Sequence, residues 1–542
     1  MIDKRLIDTN MLMQEMSIEE LTDWFSFTKK KFLHNIDTFY YSVKFKNDFR
    51  VNTKDEKVLR FRKFFKFKYD GLGQYDETGE IYLKEINKSL KLRPVVFSKF
   101  YDVCLSNAQY FDIFIASSVP RALNGGESVT SECIVQIRSY MLWMFGVNAA
   151  FENSYAVVKE LAAYFGFEID FVQENRVDYC WHSNYLKNPE VFFNLENLYK
   201  MRVDRFKGAT HISNKVGSEG YEVDYVALGK RGDKVFVRIY QKTREVIEMN
   251  YKPWFFQIWK MNGLLNNYDL YVYEKCYLKR SWYYRFYARL EFYAEYGKSP
   301  LYVSMCKEIL SGEVTIGEDD LIKLASQLTP ELNLVVNVEF QTMRRHSKSY
   351  TLLPLHDNSD KNECKRIYDY LDNRKLIMDY LTDKVLKFVE KTGDSKKYRR
   401  PLCGFWESLR RTKCIDVKMT PEQLHMIRQY NRKLSIPTMK KKFINAAVTL
   451  SIYCKGINQE STFQDCFDAL MRMNDNDIME AQRYKNKKVR QFNQDELSGL
   501  YENDEVHRFS LLDEETGTLY NNNTLNAFNM QGGVPVDREG SL

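Results

Sequence analysis

The feature that most constrains the fold is a series of short segments between residues 176 and 345 in which apolar and polar residues alternate. The most regular of them is Val235–Lys242, with the sequence VFVRIYQK. Because side chains two apart on a strand project from the same face, this segment predicts a β-strand with one apolar and one polar face. The polar face carries Phe236, Arg238, Tyr240 and Lys242.

Three further segments alternate in the same way and place a carboxylate, a cation or a tyrosine on the polar face. They are Arg176–His182, Arg289–Tyr293 and Val335–Arg345. In the first, Asp178 and His182 share a face, where they could bind a divalent metal ion or could form an ion pair and a hydrogen bond in a half-exposed sheet. Several such strands together predict a sheet whose polar face carries an active site.

Tyr240 is the strongest candidate for chemistry because cations flank it on its own face at positions 238 and 242. Two such cations would hold a phosphate group and favour the phenolate form of a side chain whose ordinary pKa is about 10. A phenolate beside a bound phosphate is what a tyrosine nucleophile needs for phosphoryl transfer. The pattern therefore predicts Tyr240 as the nucleophile, with Arg238 and Lys242 on the phosphate.

The segment 235–248, VFVRIYQKTREVIE, resembles the strand-then-helix signature of the replication initiation factor family. That family holds rolling-circle initiators of plasmids and filamentous phages, and related relaxases of integrative conjugative elements. The resemblance covers about residues 120–345. The matching positions are Arg238, Tyr240, Lys242 and Glu245, with Arg176 and Asp178 upstream, a glycine-containing strand pair at about 220–232, and Arg289 and Glu291 downstream.

This resemblance implies a metal-dependent enzyme that nicks and rejoins single-stranded DNA. Tyr240 would attack the scissile phosphate at an origin, leaving a free 3′-OH and a 5′-phosphotyrosine. Mg²⁺ or Mn²⁺ would be bound by Asp178, Glu291 and, as a further candidate, His182, with Glu339 competing with Glu291. The implied partners are origin DNA in single-stranded or hairpin form, a host helicase and polymerase, and a second copy of the chain.

Some residues depart from this pattern or compete with it. The family usually carries a second Asp where this chain has His182, and Tyr293 and Tyr296 are rival nucleophiles. The seven histidines include no pair two apart, which the commoner rolling-circle initiators carry, and there is no GxxxxGK[ST] motif of a helicase. The alternative functions are a relaxase for conjugative transfer and a non-enzymatic protein that binds origin or single-stranded DNA.

The charge of the chain is unevenly distributed. The 542 residues carry a net charge of +7, but residues 491–542 contain two basic and ten acidic residues, a net charge of −8. The first 490 residues therefore carry +15, which favours a nucleic-acid partner because phosphates attract cations. The acidic composition of 491–542 predicts a disordered tail.

Two basic segments are candidates for DNA contact outside the alternating strands. Lys57–Lys68 mixes cations with phenylalanines and predicts either a surface for single strands or a solvent-exposed edge. Two helices predicted from Thr420 onward are either a helix-turn-helix DNA reader or an ordinary helical hairpin. The candidate contacts are Arg62, Lys63, Lys66, Lys440, Lys441 and Lys442.

The length exceeds that of one compact core and predicts an α+β chain of several parts. We expect a mostly helical, basic region over 1–120, a central antiparallel-sheet catalytic domain over 121–350, a helical domain over 351–490, and the acidic tail. The start of the chain has no basic-then-apolar signal, and the longest apolar run, Tyr140–Phe151, is too short to span a bilayer. With ten cysteines and no CxxC motif, these features favour a cytoplasmic protein with no membrane partner.

Local signals also predict particular helices. Ser17, followed by two glutamates, predicts a capped helix start. Helical spacing of apolar residues predicts helices over Ser131–Phe145 and Asn153–Phe165, with Gly166 ending the second. From there to about residue 345 we expect alternating strands.

Overall fold

The structure is a computed structural model that describes residues 10–46, 80–83, 88–93, 101–116, 131–347 and 363–413, with short gaps inside these ranges and a few isolated positions outside them. Two sets of predictions lie outside the described residues. They are the DNA contacts Arg62, Lys63, Lys66, Lys440, Lys441 and Lys442, and the acidic tail over 491–542.

An antiparallel sheet forms the centre of the described part of the chain, and eleven strands pair in it in the order β2-β3-β4-β5-β6-β1-β7-β12-β11-β10-β9. A separate pair is formed by β8 and β13. The α+β prediction with a central antiparallel sheet is confirmed. The strands are β1 (Phe32–Phe45), β2 (Glu80–Leu83), β3 (Lys88–Arg93), β4 (Val103–Asn107), β5 (Phe111–Ile115), β6 (Cys133–Ile137), β7 (Ile169–Ser183), β8 (Arg202–Asp204), β9 (Thr210–Gly217), β10 (Gly220–Leu228), β11 (Val235–Gln241), β12 (Val336–Met343) and β13 (Leu386–Phe388).

Helices cover both faces of the sheet, which explains why its middle strands are buried on both sides. One face packs against α7 to α12, and the other packs against α4 and α14 to α16. The helices are α1 (Met11–Glu15), α2 (Ile18–Trp24), α3 (Ser139–Phe145), α4 (Val147–Phe165), α5 (Pro189–Phe192), α6 (Leu195–Met201), α7 (Lys242–Glu248), α8 (Trp254–Met261), α9 (Asn267–Lys279), α10 (Arg285–Tyr296), α11 (Pro300–Ser311), α12 (Glu318–Leu328), α13 (Arg344–Ser347), α14 (Lys365–Asp372), α15 (Arg374–Tyr380) and α16 (Gly404–Arg411).

The chain order places β12 in the middle of the sheet. After the β9-β10-β11 meander the chain forms α7 to α12, and β12 then returns to lie between β7 and β11. All but the last residue of β12 are buried. Any polar side chain on this strand is therefore enclosed and needs hydrogen-bond partners within the protein.

Two predicted helix ends are confirmed. Ser17 caps α2 in a capping box, with its hydroxyl accepting from the Glu20 amide and the Glu20 carboxylate accepting from the Ser17 amide. Gly166 ends α4 with φ 74°, in the left-handed region that favours glycine. The predicted helix over Asn153–Phe165 lies within α4.

The predicted mostly helical region over 1–120 does not hold for the part that the structure describes. It contributes β1 to β5 to the sheet, and β5 pairs with β6 across the predicted boundary at residue 120. Similarly, the first half of the predicted helix Ser131–Phe145 is β6, since its isoleucine and valine residues fill a central strand.

The predicted strand Arg289–Tyr293 is wrong, because this segment lies within helix α10. More generally, helices α7 to α12 occupy most of the region between β11 and β12, where alternating strands were expected. Five residues are too few to separate a period of 2 from one of 3.6. Phe286, Leu290 and Tyr293, spaced at helical intervals, are all buried. No helix in the described ranges is long and apolar enough to cross a membrane.

Candidate functional site

The polar faces of β7, β12 and β11 meet in register and form one buried polar surface. The alternation predicted for these three strands is confirmed, and the residues of these faces lie opposite one another across the strands, all of them polar except Phe236 and Cys180. The cross-strand rows are Tyr240–Asn337–His182, Arg238–Glu339–Cys180 and Phe236–Gln341–Asp178.

The Tyr240 hydroxyl lies at the centre of this surface. It donates to Glu339 Oε2 at 3.1 Å and accepts from Asn337 Nδ2 at 2.9 Å. Lys242 Nζ lies 3.4 Å from the same hydroxyl. Tyr240 is 8% exposed and Glu339 only 1%. The tyrosine therefore has a carboxylate base and a cation within hydrogen-bond reach.

Arg238 holds the carboxylate that receives the Tyr240 hydrogen bond. Its guanidinium forms a buried ion pair with Glu339 Oε1, and Asn337 Nδ2 lies 3.2 Å from Glu339 Oε2. Burial is the largest influence on Glu339 and raises its pKa, but the charge and hydrogen bond of Arg238 and the charge of Lys242 together outweigh it and keep the pKa below its usual value. Glu339 is thus a charged acceptor, fixed in place by three neighbours.

The prediction that the flanking cations favour the Tyr240 phenolate is wrong for this structure. Burial and the negative charges of Glu245 and Glu339 raise the pKa of Tyr240 well above its ordinary value, and Arg238 opposes them only in part. Both cations have carboxylate partners, since Arg238 pairs with Glu339 and Lys242 Nζ lies 2.6 Å from Glu245 Oε2. Loss of the Tyr240 proton therefore depends on a base, and Glu339 is the base in contact.

Asp37 is a buried residue beside this surface that the sequence analysis missed. It lies on β1 at an irregularity between Ile36 and Thr38, where the pairing with β7 shifts. Its Oδ1 accepts from Ser139 Oγ at 2.5 Å and from Trp143 Nε1 at 3.1 Å. The signal that could have found it is a single acid in an otherwise mainly apolar strand.

The charge of Asp37 is coupled to the Tyr240 region. Burial raises its pKa, but the positive charges of Lys252 and Lys242 and the Ser139 hydrogen bond outweigh burial and hold the pKa below its usual value. Asp37 in turn helps to raise the pKa of Lys242, together with Glu245 and against burial. Lys242 therefore stays charged although it is only 1% exposed.

Asp178 and His182 both have hydrogen-bond partners, which lie on β7 for Asp178 and on α8 for His182. Arg176 binds Asp178 through two hydrogen bonds, Nε to Oδ1 at 2.9 Å and Nη2 to Oδ2 at 2.5 Å. Trp259 Nε1 donates to His182 Nδ1 at 3.2 Å, so the ring proton of a neutral His182 is on Nε2. Burial and the nearby Lys242 hold the pKa of His182 well below its ordinary value. The structure contains the ion pair and the hydrogen-bonded histidine of one sequence alternative, but in a buried sheet rather than a half-exposed one, since Asp178 is 1% exposed and His182 is fully buried.

Glu291, Tyr293 and Tyr296 lie on α10 rather than on the sheet. The Glu291 carboxylate accepts from Tyr284 Oη and pairs with Lys275 at 3.1 Å. Tyr293 Oη donates to Glu15 at 2.7 Å. The Tyr296 ring lies 4.9 Å from that of Trp24 on α2. These contacts of the three side chains are therefore with residues outside β7, β11 and β12.

The predicted metal ligands do not fit a metal site in this arrangement. Among the residues that the structure describes, no group of three or more His, Cys, Asp or Glu side chains could hold a metal ion. Asp178 is occupied by a guanidinium, and a neutral His182 has its Nδ1 lone pair occupied by Trp259 and a proton on Nε2. An imidazole binds a metal through a nitrogen lone pair, so His182 would have to break its Trp259 hydrogen bond.

Comparisons with known proteins give a distant structural similarity. No protein-family model matches the chain, and no curated protein matches it. Among solved structures, the chain is similar to a rolling circle replication initiator protein from Geobacillus stearothermophilus, with 11% sequence identity and a TM-score of 0.29. The match covers 70% of this chain and 95% of that chain. At this score and identity, the similarity assigns neither a family nor an activity.

Proposed function

We propose that this chain is a DNA replication initiator that nicks one strand at an origin, with Tyr240 as the nucleophile. The observation that carries the proposal is the contact of the Tyr240 hydroxyl with Glu339, which Arg238 in turn holds. A nucleophile within hydrogen-bond reach of a base that a third group orients is the general arrangement for covalent catalysis. The resemblance of residues 235–248 to the replication initiation factor family supplies DNA as the substrate class.

In the proposed step, Glu339 accepts the Tyr240 proton and the phenolate oxygen forms a bond to the scissile phosphorus. The bond from phosphorus to the 3′ oxygen breaks, and that oxygen leaves with its electron pair and takes a proton from solvent. The products are a 5′-phosphotyrosine and a free 3′-OH. Lys242, 3.4 Å from the Tyr240 hydroxyl, is placed to neutralise charge on the phosphate.

The burial of Tyr240 sets a condition on this step. A scissile phosphate has to replace some of the present contacts of the hydroxyl, since Asn337, Glu339 and Lys242 all approach it. The Asn337 hydrogen bond is the one that the reaction does not use. We therefore expect DNA to displace Asn337 from the hydroxyl while the contact with Glu339 persists.

Metal dependence, the host helicase and polymerase, and a second copy of the chain stay predictions. Mg²⁺ or Mn²⁺ bound near the scissile phosphate would supply charge neutralisation to phosphoryl transfer. Nicking reactions with EDTA, and with each metal restored, test that requirement.

The alternative is a non-enzymatic protein that binds single-stranded or origin DNA, and the burial and raised pKa of Tyr240 favour it. The discriminating experiment incubates the full chain and Mn²⁺ with single-stranded oligonucleotides that tile its own replicon. We expect a covalent adduct at the 5′ end of the cleaved strand. A Tyr240→Phe variant should form none, whereas Tyr225→Phe, which alters a tyrosine on the neighbouring strand β10, should form it normally. No adduct with any oligonucleotide would support the binding protein.

A further inference from the structure

Two exposed tyrosines lie on elements other than those that carry Tyr240. Tyr199 is in α6 and is 76% exposed, and Tyr398 is in the 3₁₀ turn Lys397–Arg399 and is 60% exposed. Aromatic side chains usually contribute to stability by burying their large apolar area. Two that leave most of it in water are candidates for contact with a partner.

A cation lies beside each of these two rings. Lys397 Nζ lies 4.7 Å from the centroid of the Tyr199 ring, and the Arg399 guanidinium lies 5.6 Å from that of Tyr398. Within the described ranges, the side chains of Lys396, Lys397 and Arg399 form no ion pair with a carboxylate. We call Tyr199, Tyr398 and these three cations the Tyr199–Tyr398 surface.

Three carboxylates lie close to this surface in sequence and have other partners, among them Asp394, which accepts from the Lys396 backbone amide at 2.8 Å. Glu196 pairs with Lys200 at 2.8 Å, and Asp204 pairs with Arg202 at 2.7 Å. The surface therefore keeps a positive charge. It suits an anionic partner better than a protein surface of mixed charge.

The two tyrosines line a common hollow of about 350 Å³, with Val203 and Arg202 among its other walls. The 3₁₀ turn is tied to the end of α6, because Lys397 Nζ donates to the Tyr199 carbonyl and Arg400 Nη1 donates to the Lys200 carbonyl at 3.2 Å. The pairing of β8 with β13 supports the same region. These side-chain to backbone hydrogen bonds hold the two elements that carry the rings together, so that the elements need little ordering to receive a ligand.

We propose that the Tyr199–Tyr398 surface binds single-stranded DNA, with unpaired bases stacked on the two tyrosines and phosphates on the three cations. Exposed aromatic rings combined with cations are the features that hold single strands without sequence preference. Duplex DNA presents its phosphates but not the faces of its bases. It can therefore contact the cations but cannot stack on the tyrosines. The proposal takes its choice of DNA from the proposed function, but it needs no reaction at Tyr240.

The test measures binding of fluorescent dT20 by anisotropy, in a Tyr240→Phe background that prevents cleavage. Stacking contributes roughly 1–3 kcal/mol per base, so Tyr199→Ala and Tyr398→Ala should each weaken binding by about 5- to 150-fold. An abasic oligonucleotide of equal length should show almost no difference between variants. Tyr164→Ala, which removes a 45% exposed tyrosine on α4, is the matched control and should bind dT20 like the parent.

The phosphate contacts have a separate readout. Lys396→Ala with Arg399→Ala should reduce the slope of log affinity against log salt by roughly 0.7 per lost phosphate contact. An unchanged slope, tyrosine variants equal to the Tyr164→Ala control, or equal losses for duplex and single strand would each overturn the proposal. If the chain with Tyr240 intact forms no DNA adduct while the tyrosine variants still lose affinity for dT20, that result would support the binding surface and refute the nicking proposal.

Discussion

Replacing Arg238 with leucine should lower the free energy of unfolding by about 3 kcal/mol. The side chains of Arg238 and Glu339 are 7% and 2% exposed, so the change leaves a carboxylate buried without its counter-charge. Removing one partner of a buried ion pair costs roughly 3–5 kcal/mol. We expect the lower end because Tyr240 and Asn337 still lie within hydrogen-bond reach of Glu339.

Thermal and urea denaturation measure this change, with two comparison variants. Arg411→Leu removes a 2.5 Å ion pair with Glu407 whose side chains are 77% and 48% exposed, and exposed pairs of this kind contribute about 0.5 kcal/mol or less. The double variant Arg238→Leu/Glu339→Leu removes both charges and should recover most of the lost stability, because an apolar pair can replace a buried ion pair nearly neutrally.

The dependence on pH identifies the cause. Without Arg238, burial is the main influence on Glu339 and should raise its pKa in the folded state. A raised carboxyl pKa destabilises the fold above the unfolded pKa of about 4.3, so the deficit of Arg238→Leu should shrink as the pH falls from about 7 towards about 4. A loss in the free energy of unfolding below about 1 kcal/mol, or one that does not change with pH, would show that Arg238 does not stabilise the fold by neutralising a buried Glu339.

Further expectations concern single contacts. Gly166→Ala should destabilise the protein by about 1 kcal/mol in thermal denaturation, because φ is 74° there and a Cβ disfavours that region; an unchanged Tm would contradict this. Ser139→Ala should cost roughly 1.5–3 kcal/mol, since it removes a 2.5 Å hydrogen bond to the buried Asp37 carboxylate. Because the pKa of Asp37 is lowered in the fold, its charge stabilises the protein above about pH 4 and this contribution is lost on acidification. Asp37→Asn should therefore be less stable than the parent at pH 7, and urea titrations from about pH 7 to 3 should show the difference shrinking.

The strands of the candidate site could be predicted because their signal is local. Alternation over seven or eight residues placed Arg238 and Tyr240 on one face of β11, and Asn337 and Glu339 on one face of β12. These assignments depend only on the period of a strand, which a short segment already displays.

Alternation does not decide the structure of a segment whose apolar residues fit both the period of a strand and the period of a helix. In RLEFY, Leu290 and Phe292 alternate with polar residues, yet Phe286, Leu290 and Tyr293 also recur at helical spacing. Tertiary packing decided for the helix, because these side chains fill the core on one face of the sheet. Because the segment is helical, Glu291 lies on α10 and not on the sheet with Asp178, another ligand predicted for the metal ion.

The partners within the site depended on long-range pairing that no local pattern contains. Glu339 contacts Tyr240 because β12 returns to pair with β11 after six intervening helices. Asp37 joins the site because β1 pairs with β7 and is irregular beside Ile36. Sequence spacing could propose Glu339 and Glu291 as competitors, but only the strand order separates them.

Covalent adduct formation by active-site variants measures whether Glu339 activates Tyr240 for attack on DNA. The rate at which the 5′-linked covalent adduct forms is compared for the parent, Tyr240→Phe and Glu339→Gln across a range of pH, at saturating oligonucleotide. We expect no adduct with Tyr240→Phe, and with Glu339→Gln a rate reduced roughly 10²- to 10⁴-fold that rises with pH, because the phenol then has to lose its proton to solvent. An adduct that survives in Tyr240→Phe would show that Tyr240 is not the nucleophile. A Glu339→Gln rate equal to that of the parent would show that Glu339 is not the base.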